Sequence, residues 1–193
     1  MKTSMKIVAM LMAAMMLACL FTACGKDTNS GDKTFLLGCT GPLTGDASSY
    51  GISVKNGAQL AVDEVNAAGG VNGIKFTFDM KDDKATAEDA ATGYDALMDA
   101  GMQISLGSVT SGSCESFASK SVADNLFFMT PSASAANVIA NRPNAFRVCF
   151  GDPDQGVLAA QEINEKYETV GVIYDTSDPY SSGIYEAFKG EME

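Results

Sequence analysis

Histidine is absent from all 193 residues. Ser-His-Asp and Cys-His arrangements for nucleophilic catalysis are therefore excluded from this chain. No GxxxxGK run followed by Ser or Thr occurs, which excludes a P-loop, and "GSVTSG" fails the GxGxxG pattern of dinucleotide sites. "DMKDDKATAEDA" gathers acids but lacks the central glycine of an EF-hand loop, and reads as a solvated loop leading into a helix. Basic residues are scarce: 13 Lys and Arg against 24 Asp and Glu leave a formal charge of −11. Such a surface repels nucleic acid and anionic headgroups, so neither is an expected partner. With no catalytic constellation, metal site or cofactor motif, no enzyme activity is expected.

Apolar residues are not scarce. The chain is 46% hydrophobic and 19% charged, a balance that suits a packed globular protein and not a disordered one. The last stretch, "SSGIYEAFKGEME", stops inside a helical pattern, so the chain reads as the front part of a longer protein. At the other end, Lys2 and Lys6 precede an apolar run over residues 7–21. That run has the length of a secretory signal core and falls short of the ~20 residues of a membrane span. "FTAC" then resembles a bacterial lipobox, which would make Cys24 the lipidated residue after cleavage of residues 1–23. Plain secretion with Cys24 unmodified is the alternative, and Cys19 is a weaker anchor candidate because it lies within the apolar run. Residues 24–33 read as a flexible tether reaching at most about 30 Å, which would hold a soluble domain at the outer face of a membrane. Cys39, Cys114 and Cys149 match no CxxC spacing. They allow one disulfide and a free thiol in an oxidising compartment, but buried small apolar residues are the preferred reading.

From residue 34 onward, strand and helix patterns alternate. "TFLLGC" reads as a buried strand. Val54, Ala58, Ala61, Val62 and Val65 recur at helical spacing until Gly69 and Gly70. "IKFTFDM" alternates as a half-buried strand, and Ala90, Ala91, Tyr94, Leu97 and Met98 mark a second helix closed by Gly101. "MQISLG" is a strand; Cys114, Phe117, Ala118, Ser121 and Val122 line a third helix. "LFFMTP" and "AFRVCF" are strands separated by a short helical turn. A helix to Tyr167, the strand "TVGVIYD" and a last helix complete the order. This pattern predicts an α/β fold, a doubly wound parallel sheet, with any ligand beyond the carboxyl ends of the strands.

Two turns at those ends are rich in hydroxyls. In "SLGSVTSGSCES", Ser111, Gly112 and Ser113 fall where a strand gives way to a helix, whose first amides lack internal acceptors and whose dipole favours an anion. The same serines could serve only as caps. "MTPSASAAN" repeats the design with Ser132 and Ser134, and two such turns on neighbouring strands would open onto one cleft. "TGPLTGDASSYG" would add a third wall carrying Tyr50.

Quoted together, "GPLTG", "SSYG", "GAQLAVDEVNAAGGVNG", "DDKATAEDA", "LGSVTSGS", "TPSAS", "FRVCFGDPDQG" and "VGVIYDTSDPYSSG" resemble the type I periplasmic binding proteins, specifically the branched-chain amino acid receptors of ABC transporters. The resemblance implies two α/β lobes joined by crossing strands: a first lobe over residues 34–150, then a hinge crossing and the start of a truncated second lobe over residues 151–193. It also implies an extracytoplasmic, lipid-anchored receptor that binds an amino acid and delivers it to permease subunits. Ser111 would give its hydroxyl and amide to the ligand carboxylate, Ser134 a hydroxyl beside it, and the Ser132 carbonyl would accept from the ligand ammonium. Tyr50 and Tyr180 would line the cleft, and Val109 and Thr110 would approach through their backbone. "YSSG" stands where the family usually has YGxG, so the turn at Tyr180 departs from the pattern. The acid that typically pairs with the ammonium would lie beyond residue 193. Residues 151–154 would form the hinge, with Asp152 and Asp154 as helix caps and Arg147 as an ion-pair partner. A ligand-sensing ectodomain of a signalling receptor is the alternative function.

Overall fold

The computed structural model describes residues 34–193. The signal segment, the Cys24 anchor and the tether expected in residues 1–33 lie outside the described residues.

The elements run β1 (Thr34–Gly41), α1 (Ser48–Ala67), β2 (Lys75–Asp82), α2 (Ala87–Asp99), β3 (Met102–Ser108) and α3 (Ser111–Ala123). β4 (Phe128–Thr130), a 3-10 turn (Ala136–Val138), β5 (Ala145–Arg147), α4 (Asp152–Asn164) and α5 (Pro179–Met192) follow. The strands form one sheet in the order β2-β1-β3-β4-β5, and every pairing is parallel. The predicted doubly wound sheet is therefore present. α1 packs on one face, and α2 with α3, which pack together, on the other, as the right-handed rule for parallel crossovers leads one to expect.

Local sequence explains most boundaries. α1 stops where Gly70 turns left-handed at φ 79° and its amide donates to the Val65 carbonyl. A Cβ on Gly70 would sit 2.1 Å from the Ile74 carbonyl oxygen, so the tight return to β2 needs glycine. α2 starts at a side-chain cap, with Thr86 Oγ1 accepting from the Asp89 amide at 3.1 Å.

The larger core lies under α2 and α3. Tyr94, Leu97, Phe117 and Phe128 are fully enclosed there, and Phe117 meets Tyr94 and Phe128 edge-on at 4.9 and 5.7 Å. Enclosing one such ring contributes roughly 1.5–3 kcal/mol. The smaller core, on the α1 face, gathers Cys39, Met80 and Val109 with Leu43, Val54 and Phe78. Cys39 and Cys114 are buried free thiols and Cys149 is a half-buried one, as the small-apolar reading expects. Burial pushes the Cys114 thiol up to about 12.

Several expectations need correcting. Ala61, Val65 and Val122 are exposed, because the helices turn only Val54, Ala58 and Val62, or Cys114, Phe117, Ala118 and Ser121, toward the sheet. "TVGVIYD" is not a strand. Residues 169–175 pair with no described strand, and Ile173 is 102% exposed. An extended segment becomes a strand only when a neighbour satisfies its backbone, and this one instead meets α5 through Tyr174 stacking on Tyr185 at 3.8 Å and the Asp175 amide donating to Ser181 Oγ at 2.9 Å. The acidic stretch is not wholly solvated either, since Asp83 is completely buried.

Candidate functional site

The strand order has its switch point between β1 and β3: the chain leaves β1 toward β2 on one side and later returns to β3 on the other. At such a point the connecting loops diverge and leave a crevice beyond the carboxyl ends of the strands. A cavity of about 380 Å³ lies there.

The β1–α1 loop supplies Ala47 and Tyr50 to its wall. That loop is pinned by Asp82, whose Oδ1 accepts from the Leu43 amide at 2.9 Å and whose Oδ2 accepts from the Thr44 hydroxyl at 2.5 Å. Burial is the largest single influence and raises the Asp82 carboxyl, but the Thr44 hydroxyl and the Leu43, Lys84 and Thr44 amides together outweigh it and hold the carboxyl below its usual range. The next acid, Asp83, braces the floor. Its carboxylate accepts from Ser108 Oγ at 2.7 Å and from the Ala85 amide at 2.9 Å, so the end of β3 and the β2–α2 loop move together. Burial pushes the Asp83 carboxyl up, opposed by those hydrogen bonds.

The two hydroxyl-rich turns sit side by side because β3 and β4 are paired. Thr130 Oγ1 donates to the Ser108 carbonyl at 2.7 Å and accepts from the Ala133 amide at 3.1 Å, which ties the second turn to the end of β3. Ser111 then bridges the turns directly. Its Oγ accepts from the Ser134 and Ala135 amides, each at 3.2 Å. With both lone pairs occupied, the hydroxyl has one proton left to donate.

The N-terminus of α3 faces this point. Its N-cap, Thr110, makes no side-chain cap bond, in contrast to Thr86 on α2 and Asp178 on α5. Ser113 does not cap either; its hydroxyl donates to the Thr86 carbonyl at 3.2 Å. Among the described residues Thr110 Oγ1 is buried without a hydrogen-bond partner. Capping alone therefore does not account for this turn. Unfilled amides at a helix start, a free hydroxyl proton and a second hydroxyl suit an anion.

Every site residue singled out in the sequence, namely Tyr50, Val109, Thr110, Ser111, Ser132, Ser134 and Tyr180, borders this one cavity. Gly112, named with the first serine turn, borders it as well, and so do Ala47, Ala85, Phe150 and Asp178, which were not named in advance. All but Asp178 lie on βα connections of the sheet or at a helix start beside one, so the carboxyl-end rule was a usable signal for them. Asp178 carried no such signal. It caps α5 by accepting from the Ser181 amide at 3.0 Å and the Tyr180 amide at 3.4 Å. It is the only acidic residue among those lining the cavity, which include no lysine or arginine. Burial, with the charge of Asp152 next, raises the Tyr180 phenol above its usual range. Among the described residues no group of acids and cysteines is placed to hold a metal ion.

Residues 151–154 and Arg147 also differ from expectation. Asp152 and Asp154 occupy the first turn of α4, whose N-cap is Gly151, and no side chain caps that helix. Both acids still favour the positive helix end. Burial raises the Asp152 carboxyl, with the Ser134 hydroxyl and the Arg147 guanidinium pulling the other way. Arg147 forms no ion pair within reach among the described residues; its Nη1 donates instead to the Ser134 and Ala135 carbonyls. Strand β5 ends directly beneath the second turn, so the guanidinium meets its carbonyl groups first.

A family model described as periplasmic binding protein matches residues 35–193. The Leu/Ile/Val-binding protein BraC3 of Rhizobium johnstonii is 31% identical over 159 residues, which are 81% of this chain and 43% of that protein. A leucine-, isoleucine-, valine-, threonine- and alanine-binding protein of Pseudomonas aeruginosa is 29% identical over 163 residues, 83% of this chain and 43% of its own length. Among solved structures, the branched-chain amino acid transporter substrate-binding protein LivJ of Streptococcus pneumoniae, in complex with isoleucine, superposes with a TM-score of 0.77 at 27% identity. That match covers 83% of this chain and 47% of LivJ. The leucine-binding protein LivK of Thermotoga maritima gives a TM-score of 0.75 at 25% identity, over 82% of this chain and 45% of LivK. The chain thus spans under half the length of these relatives.

Proposed function

The chain belongs to the periplasmic binding protein family, and from that premise we propose that it acts in an extracytoplasmic solute receptor of an ABC importer. The ligand is an amino acid with an apolar side chain, held between two lobes and handed to membrane permease subunits. Residues 34–150 form the first lobe in this reading and residues 151–193 begin the second. Cys24 is the lipid anchor. No bond is made or broken; binding and closure are the whole task.

One observation carries the choice of ligand. The Ser111 hydroxyl is held by two amides from the neighbouring turn, with its proton free at the uncapped start of α3. Neutral donors of this kind take a carboxylate without a lysine or arginine, and the lining contains neither. Asp178 supplies negative charge on the same cavity, and the Ser132 carbonyl adds an acceptor, which together suit an ammonium group. Ala47, Ala85, Val109 and Phe150 offer the apolar surface that a branched side chain needs. Tyr50 and Tyr180 both line the cavity, and in this reading they belong to the first and second lobes.

The test is titration calorimetry of the full-length protein with L-leucine, L-isoleucine and L-valine. Ser111→Ala should weaken binding by about 1–3 kcal/mol, the ordinary cost of leaving a charged group's hydrogen bond unmade. Unchanged affinity in that variant would reject the carboxylate role.

A further inference from the structure

The second turn is gripped from both sides. Toward the cavity, the amides of Ser134 and Ala135 converge on Ser111 Oγ. Away from it, the carbonyls of the same two residues converge on one group, the Arg147 guanidinium, whose Nη1 reaches the Ala135 oxygen at 3.1 Å and the Ser134 oxygen more closely. The Ser134 carbonyl also accepts from the Asp152 amide at 3.1 Å, at the start of α4. The Ser134–Ala135 peptide is therefore fixed on both sides, its amide by the ligand-side hydroxyl and its carbonyl by the cation, while the peptides before and after it are each held on one side.

The space for that cation is made by a missing side chain. A Cβ on Gly151 would lie 2.5 Å from Arg147 Nη2 and 3.4 Å from its Cζ. Gly151 has φ −96° and ψ 151°, an extended conformation open to any residue, so backbone strain does not explain the glycine. Room for the guanidinium does. Arg147 is half-buried and borders no part of the cavity.

We propose that Arg147 is a positioning residue for the ligand site. It fixes the Ser134–Ala135 peptide so that the Ala135 amide, and with it the adjoining Ser134 amide, meets Ser111, and thereby leaves the Ser111 proton free for the ligand. Gly151 is the clearance that lets it do so. Because Arg147 ends β5 and Asp152 begins α4, the same contact ties the crossing between lobes to the carboxylate end of the site. A lysine would not substitute: it lacks the second terminal nitrogen, Nη2, that fills the space beside Gly151, and its compact, strongly hydrated ammonium is less suited to a half-buried place. The ligand half of this inference rests on the amino acid reading above; the structural half does not.

The experiment is a double-mutant cycle with two readouts. By NMR hydrogen exchange, Arg147→Lys and Gly151→Ala should each speed exchange of the Ser134 and Ala135 amides at least tenfold, with the amides of β1 unchanged. By calorimetry with L-leucine, each should weaken binding about tenfold. In the Ser111→Ala background the same changes should weaken binding less than twofold, because the oriented hydroxyl is already gone. Gly151→Ala should add nothing to Arg147→Lys. Unchanged exchange at Ser134 and Ala135, or affinity losses that multiply independently with that of Ser111→Ala, would overturn the positioning role. If the wild-type protein binds no leucine while the exchange result holds, the ligand reading fails and the clamp on the turn stands. Arg147→Lys keeps the charge and Gly151→Ala keeps Arg147, so loss of folding in one leaves the other to decide.

Discussion

Strand β1, "TFLLGCTG", and the segment "TVGVIYD" near the other end are close to interchangeable as sequences. Each opens on threonine and runs through apolar, strand-favouring residues. β1 lies mid-sheet, paired with β2 over all eight of its residues and with β3 on its other edge. Residues 169–175 pair with no described strand and leave Ile173 fully in solvent. The difference is not in propensity. It lies in whether a neighbour exists to take the backbone hydrogen bonds and cover the side chains. The sheet repeats the lesson within itself. Phe128 of β4 is buried under α3, whereas Met129 of β4, Phe146 of β5 and the flanking Phe127 and Val148 remain exposed.

That contrast can be tested by substitution, with stability read from urea unfolding. The largest effect belongs to Phe117→Ala, under the covered half of the sheet. It should cost about 3–5 kcal/mol, since the ring touches Tyr94 and Phe128 and nothing nearby can collapse into the gap. A loss under about 1 kcal/mol would mean that this core is not what holds the sheet and its helices together. Next comes Thr86→Ala, which removes the only side-chain bond capping α2 and should cost about 1 kcal/mol. Thr110→Ala, at the uncapped start of α3, gives the matched control and should leave stability nearly unchanged. Smallest is Ile173→Ser, expected to fall within about 0.5 kcal/mol of zero because the side chain is already in water. A penalty comparable to that of Phe117→Ala would show that residues 169–175 are covered in solution and would erase the comparison.

The site was more legible than the faces around it. Ser111, Ser132 and Ser134 stood out because small hydroxyl residues clustered where two apolar runs stopped, and parallel sheets put such places at one edge. Asp178 and Phe150 were missed for opposite reasons. Asp178 looks like an ordinary helix cap and is one, and its second role as cavity wall depends on where α5 docks. Phe150 read as the tail of a strand that in fact ends at Arg147. Arg147 was read as an ion-pair partner because charge in a sequence suggests opposite charge in space; carbonyl groups, which every residue carries, leave no trace there. Asp83 was taken for one of several solvated acids, and only its three-dimensional position beside Ser108 separates it from Asp82.

The sequence by itself determined the order and kind of most elements, the exclusion of histidine chemistry, and the two serine-bearing turns. These follow from local pattern: spacing of apolar residues, chain-reversing glycines, and composition at the ends of strands. Tertiary structure alone decided that β3 and β4 are neighbours, that both turns share one cavity, that "TVGVIYD" goes unpaired, and that Arg147 grips Ser134 from behind. Those outcomes depend on groups far apart in the chain meeting in space, and on backbone carbonyls and amides that are the same at nearly every position.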